Sequence, residues 1–425
     1  MPPVPLLYLV HRETLSSAIS SQVITPLEKL QPAISVTLGF MTPIGQLWRS
    51  KFRPALQKIE NRCRNSGLRV GWLPSPPTRL SWLWSDAFVL RRWIRRHFPD
   101  NQPLIVRCRN ATTTSIALDA LQGYRNARVI YDCRGAEVTE MKQTLGLEVT
   151  PENEWPAQAK ATIQQIQAAE ERAVHEAAGV TCVSHAMVDS LTQKYPQIPR
   201  QKFFVAPCCP DIDAFTSVVN DRDVVRRELK LHDKYVVSYC GSLVWYQFPE
   251  ASIRVFRLIK SLRPDAHFFA VTTHPEPMRL LLERAGFSPA DYTIRSVPAQ
   301  EVPRLLVASD VGLMLRDDSL TNRVASPIKF GEYMAAGVPV IITPRLGDCS
   351  ESVRSERLGI EVDLTLDDEK VIASLRSFVE MSSSEQAAIR ERCRDFANRQ
   401  LSWSVVLPQL TEWLGTIAAP KGQST

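Results

Sequence analysis

The chain has 425 residues, too many for one ordinary core and enough for two domains of about 200 residues each. Its 44% hydrophobic and 23% charged content is that of a soluble globular protein and excludes a disordered or fibrous chain. The net charge of +6 is spread along the chain rather than blocked, which suits an anionic ligand or an acidic membrane surface and argues against a nucleic-acid partner.

Nine cysteines, odd in number and never spaced C-x-x-C, read as reduced, mostly buried thiols of a cytoplasmic protein. The adjacent Cys208 and Cys209 have no His/Cys cluster nearby, so no metal site is expected. The N-terminal MPPVPLLYLVHRE lacks a basic region and does not read as a signal peptide. No run approaches about 18 apolar residues, so any membrane contact is expected to be peripheral, at the inner face.

In chain order, the first half offers seven strands: PLLYLV, AISVTLGF, LRVGWLP, PLIVRC, ARVIYDC, GVTCVS and KFFVAPC. His11, at the end of the first strand, is placed to touch an acceptor. The stretch 67–84, GLRVGWLPSPPTRLSWLW, reads also as a loop lining an acceptor groove. Next, 82–98, WLWSDAFVLRRWIRRHF, carries Trp82, Val89, Trp93 and four arginines at helical spacing. It is either an interfacial amphipathic helix or a helix packing its aromatics inward under a solvated Arg face. His175 and His185 read as solvated or packing side chains.

The segment 207–223, PCCPDIDAFTSVVNDRD, marks a domain break. Five more strands follow: YVVSYCG, AHFFAVTT, DYTIRSV, VGLMLR and VPVIIT. Helical patterns such as PEASIRVFRLIKSLRP and EPMRLLLERAG alternate with them. Continuous apolar strands, each followed by a helix, imply parallel sheets covered on both faces. The expected fold class is α/β, two doubly wound Rossmann-like domains facing a central cleft, with ligands beyond the strands' carboxyl ends. The expected division is 1–215, 216–395 and a returning C-terminal helix with a frayed tail over 396–425. After about residue 365 only helices are expected, one opening with Ser382 and Glu385 in capping-box spacing.

The stretch 326–341, SPIKFGEYMAAGVPVI, predicts a helix with Ser326 as N-cap, Pro327 as first helical residue and Gly337 in the left-handed terminating position. Its start is an anion site to which Lys329 adds a full charge. Glu332 lies three residues on, on the same face, and suits two ribose hydroxyls. Gly331 between them allows a ligand or backbone to approach closely. The constellation matches a nucleoside diphosphate. The competing reading is an ordinary capped helix with an exposed Lys–Glu pair.

S-P-x-K-x-x-E-Y-x-A-x-G-x-P-V-I resembles the nucleotide-sugar motif of retaining glycosyltransferases of family 4, which have the GT-B fold. VIYDCRGAE at 129–137, EERAVHEAAGVTCVSHAM at 170–187, FVAPCCPDIDAF at 204–215, VSYCGSLVWYQFPE at 237–250, RSVPAQEVPRLLVASDVGLMLR at 295–316 and FANRQLSWSVVLPQL near the end resemble other family segments in the same order. The likeness covers about 130–410 well and the first 125 residues loosely. Three departures stand out. Val324 occupies the position of the first of two family glutamates. Ser242 stands where an Arg often clamps the diphosphate, with no Lys following. Asp132 or its neighbours replace a first-domain His.

The resemblance implies transfer from a nucleotide sugar to a glycan or lipid-linked acceptor with retention, by front-face attack in which a phosphate oxygen takes the acceptor proton, without metal or cofactor. Lys329, with Arg316 and Arg323 next, would meet the leaving diphosphate. Gly241 and Ser242 would form the phosphate-side turn. The backbone from Val297 to Glu301 would hold the base, and Asn322 would orient the sugar. Ser326 would open the anion site, and Glu332 would hold the ribose. Asp132 and Arg134 would face the cleft and touch sugar or acceptor; alternatively they form a local salt bridge. A nucleotide-sugar epimerase and a non-catalytic nucleotide-sugar-binding scaffold are the competing readings.

Overall fold

The computed structural model describes residues 4–15, 19–31, 33–76, 85–99, 102–244 and 247–418. The chain divides into two compact units, 1–206 with 406–425, and 207–405.

Unit 1 is built on a seven-stranded sheet. Its strands are β1 (Leu6–His11), β2 (Val36–Pro43), β3 (Arg69–Ser75), β4 (Leu104–Arg109), β5 (Ala127–Cys133), β6 (Gly179–Cys182) and β7 (Phe203–Val205). The spatial order is β3-β2-β1-β4-β5-β6-β7, and every pairing is parallel. β1, β2 and β4 are buried almost end to end, as expected of strands covered on both faces. β3, at the sheet edge, alternates between buried and more exposed residues. Its observed bounds correct the reading of 67–84 as loop throughout; 77–84 lie outside the described residues.

The helices that matter below are α1 (Ile44–Trp48), α2 (Arg53–Asn65), α3 (Asp86–His97), α4 (Ala111–Ala120) and α5 (Glu137–Thr144). The Ser85 side chain caps α3 by accepting from Phe88 N at 3.1 Å.

Unit 2 holds β8 (Tyr235–Cys240), β9 (Ala266–Val271), β10 (Tyr292–Arg295), β11 (Val311–Met314), β12 (Val340–Ile342) and β13 (Gly359–Glu361), in the order β10-β9-β8-β11-β12-β13, again all parallel. β13 escaped the sequence reading because it is three half-buried residues with too little apolar content to signal a strand. Two helices follow β11, α6 (Leu320–Arg323) and α7 (Ile328–Ala335). After β13, α8 (Ser383–Gln400) opens with the expected capping box at Ser382 and Glu385.

The break falls at 206/207 rather than at 215. The reason is local: Cys208 N donates to Ser326 Oγ at 3.1 Å, and Pro210 packs on Gly331, so the segment after β7 belongs to unit 2. Three arginines add to this anchoring. Arg222, Arg226 and Arg390 converge on the buried carboxylate of Asp310 at 2.5, 3.0 and 3.2 Å, tying the entry of unit 2 and α8 to the start of β11. α8 stays in unit 2. The return to unit 1 begins at Val406, within α9 (Trp403–Ala418), not at 396. There Trp413 packs tilted against Phe204, with ring centroids 5.4 Å apart, and fills the space beside Gly179.

Candidate functional site

In an open parallel sheet, ligands bind beyond the carboxyl ends of the strands where the strand order reverses. In unit 2 the reversal lies between β8 and β11. Gly241 and Ser242 leave β8 there, and Arg316, Asn322 and Arg323 follow β11. α7 is held to the same place: Tyr333 OH donates to Ser238 O at 3.2 Å, reaching from the helix into β8.

The pair that opens this helix is formed. Lys329 Nζ donates to Glu332 Oε2 at 2.6 Å, with the side chains 25% and 16% exposed. Glu332 Oε1 takes no protein hydrogen bond among the described residues. Burial works against the charge on Lys329. The neighbouring Cys240 sulfur and the Glu332 carboxylate outweigh it and hold the amine above the usual lysine range. Burial also pushes the Cys240 thiol up to about 11, so near neutral pH it is uncharged and the working partner of Lys329 is Glu332. Cys240 was not singled out from the sequence; its only signal was its place at the end of a strand before a glycine.

Two details of the motif are corrected. The helix starts at Ile328 with Pro327 in the N-cap position and no side-chain cap, because the Ser326 hydroxyl is occupied by Cys208 N. Gly331 serves a different neighbour from the one expected: a Cβ there would lie 2.6 Å from Pro210 Cδ, so the close approach is from unit 2's own entry segment. Gly337 has φ +67° and terminates the helix as the spacing required.

Around the pair, Gln247 donates to Ser242 Oγ at 3.0 Å and lies over Gly241, where a Cβ would meet its Oε1 at 2.1 Å. Asn322 is 3% exposed, donates to Asp317 and Ser319, and accepts from Gly347 N at 3.1 Å, which orders the loop between β11 and α7. Arg323 makes a two-pronged ion pair with Asp318 at 2.6 and 2.7 Å. Arg316 is pinned through its backbone, with N and O both bonded to Thr343 Oγ1 at 3.0 Å. Val324 is 2% exposed and part of the interior. Val297 packs on the unit 2 core, and Glu301 is exposed at the end of a single 3-10 turn; neither is bonded to the Lys329–Glu332 pair.

In unit 1, Asp132, expected either to face the cleft or to form a local salt bridge, is 1% exposed. Arg107 donates to it at 2.6 Å and Thr181 at 2.7 Å, and Tyr8 OH is a third donor. Burial alone would raise its pKa, but Arg107, Arg134 and these donors hold the carboxylate well below its usual range. Asp132 is therefore a structural anchor under the loop that carries Arg134. Arg134 itself is half-buried in that loop.

His11 accompanies Asp86 at 3.1 Å and Ser75 at 3.5 Å. His175 is exposed and bonded to Gln197 at 2.6 Å. Along α3, Trp93 stacks on His97 and crowds Gly71 of β3, whereas Phe88 is 57% exposed among Arg92, Arg95 and Arg96. Trp82 lies outside the described residues. Among the described residues no helix is long and apolar enough to cross a membrane, and no group of three or more His, Cys, Asp or Glu side chains is placed to hold a metal ion.

Residues 42–209 match the family described as glycosyl transferase 4-like domain, and residues 221–398 the family described as glycosyl transferases group 1. Comparison with curated proteins gives no match. Among solved structures, HepE of Anabaena, crystallised with UDP and glucose, is similar at TM-score 0.67 and 13% identity, over 97% of this chain and 100% of that one. WaaG, a glycosyltransferase involved in lipopolysaccharide biosynthesis, is similar at TM-score 0.64 and 15% identity, over 96% and 98%. The N-terminal domain of trehalose-6-phosphate phosphatase from Candida albicans is similar at 0.62 and 12%, over 98% and 97%.

Proposed function

This chain joins a glycosyl transferase 4-like domain to a glycosyl transferases group 1 domain in the GT-B fold, and from that premise we propose that it moves a sugar from a nucleoside-diphosphate sugar to an acceptor with retention of anomeric configuration. The observation that carries the reading is the Lys329–Glu332 pair at the start of α7, beside the strand-order reversal of the unit 2 sheet. Lys329 fixes Oε2 of Glu332 and leaves Oε1 to accept from a ribose diol. The first-turn N–H groups of α7 and the charge of Lys329 then face the diphosphate.

Breaking the anomeric C–O bond puts negative charge on the departing phosphate. A preplaced ammonium and helix dipole stabilise it, each good donor being worth about 2.7–4 kcal/mol by analogy with an oxyanion hole. No carboxylate pair is required, since the phosphate oxygen takes the acceptor proton; nor is a metal or cofactor. Arg316 assists Lys329. Arg323 contributes only by exchanging Asp318 for phosphate. Gly241 and Ser242 line the phosphate side, Val297 to Glu301 the base, and Asn322 holds the sugar-side loop in shape. Arg134, on the loop anchored by Asp132, and His11 act on the acceptor from unit 1.

UDP is the first nucleotide to test, since HepE is solved with it. The acceptor is a glycan or a lipid-linked glycan of a polysaccharide pathway, reached at the cytoplasmic membrane face, with the Phe88 and arginine side of α3 as one peripheral contact. A binding-only role is the second reading, favoured by the interior Val324 and the Gln247-bonded Ser242; shared fold alone does not decide between them.

The test is incubation with labelled UDP-, GDP- and ADP-sugars in excess chelator, with a membrane extract as acceptor source. Sugar transfer that falls about a hundredfold or more in Lys329→Ala supports catalysis. Tight nucleotide-sugar binding with no transfer or release would support the binding-only role, and conversion of the donor sugar without acceptor would point to an epimerase.

A further inference from the structure

Between Glu28 and Glu60 the chain contains no acidic residue. The middle of this stretch leaves β2 at Pro43 and forms α1, in which no residue is buried. Trp48, at the end of α1, is 79% exposed, the largest such surface of any aromatic among the described residues. Arg49, Lys51, Arg53 and Lys58 follow it, all exposed and none in an ion pair among the described residues. The neighbouring basic residues are already compensated: Arg62 by Glu28 at 2.7 Å and Arg64 by Glu60 at 2.8 Å. The free charge is thus concentrated at 49–58. Lys51 Nζ lies 4.9 Å from the Phe52 ring, so an aromatic sits under the charge as well.

Behind this patch runs a groove of about 530 Å³. It is lined by Leu47, Leu56 and Trp72 and by five polar side chains, among them Arg53, Glu60 and Arg64. Trp72 is held rigid by stacking on Phe40 at 5.1 Å.

We propose that α1 and the start of α2, residues 44–58, dock on an anionic lipid bilayer, with Trp48 in the headgroup layer and Arg49, Lys51 and Arg53 on lipid phosphates. The composition selects this occupant. A protein partner of ordinary size would call for a continuous apolar centre, whereas here one exposed Trp stands among unpaired cations, the pattern of an interfacial anchor. This surface is separate from α3 and does not depend on the donor reading.

The test is co-sedimentation of the full chain with vesicles of phosphatidylcholine alone or with about a third phosphatidylglycerol, at low salt. At about 1 kcal/mol per surface cation, Arg49→Gln/Lys51→Gln/Arg53→Gln should lower partitioning onto anionic vesicles about a hundredfold. Trp48→Ala should lower it severalfold. The fluorescence difference between the native chain and Trp48→Phe should shift to the blue on binding. These side chains are exposed, so an unchanged melting temperature certifies each variant, and unchanged nucleotide titration separates this outcome from any failure of the donor site. No partitioning of the native chain, equal partitioning onto neutral vesicles, or triple and Trp48 variants that bind as the native chain does would each overturn the proposal.

Discussion

Glu137 caps a helix other than its own. Its Oε1 accepts from Ala111 N at 2.9 Å at the start of α4, and from Tyr131 OH at 3.3 Å. Burial, added to the repulsion of Glu170 and Glu140, outweighs these donors and lifts the group from 4.5 to about 7. A carboxyl whose folded pKa is raised binds its proton more tightly in the native state. Its stabilisation is complete below the unfolded value and is lost as pH rises towards 7. Unit 1 should therefore lose about 1–2 kcal/mol between pH 5 and pH 7, after discounting for partial exposure, and Glu137→Gln should flatten that slope in denaturant titrations at several pH values. Asp132 has the opposite sign. Its depressed carboxyl contributes above the ordinary carboxylate range and is lost only as pH falls further, so the two windows do not overlap. Neither environment was legible in the sequence, because the partners of Asp132 stand at positions 8, 107 and 181. The residue types at 129–137 announced a site-like loop, but not which members point inward.

At the scale of elements, the helix after Ser326 shows where local rules end. The closing Gly337 and the i, i+3 Lys–Glu pair are local features, and both stand as the spacing indicated, whereas Pro327 precedes the helix by one residue. The Ser326 cap did not form, because its hydroxyl has a partner 118 positions away. Gly331 likewise answers to Pro210. Gly331→Ala should force a shift against that ring and cost about 1–3 kcal/mol of unit 2 stability, read as a lower midpoint in chemical denaturation with little change in slope. If alanine is neutral there, α7 is not clamped by the entry segment. Most of the twelve expected strands were legible because covered parallel strands are continuous apolar runs, and the edge strand β3 by its alternation. β13 was not, since three edge residues carry no such signal.

For the whole molecule, the α/β alternation occurring twice was enough to indicate two Rossmann-like domains, and both sheets are parallel. The exact division was not legible, because it rests on single contacts such as Cys208 to Ser326. The last helix is part of unit 1's own packing, through Trp413 against Phe204 and Gly179. Trp413→Ala should therefore destabilise unit 1 by about 2 kcal/mol, below the fully buried range because the indole is only partly buried. Differential scanning calorimetry should show the transition of unit 1 moving down and that of unit 2 staying in place. Whether the Lys329–Glu332 pair holds a nucleoside diphosphate is tested most directly by calorimetric titration with UDP, GDP and ADP in chelator. One nucleotide is expected to bind, and Glu332→Ala to weaken it by roughly tenfold or more, about 1.4 kcal/mol. If no nucleotide binds, or if Glu332→Ala binds as the native chain does, the pair is an ordinary surface ion pair on a short helix and the donor site lies elsewhere.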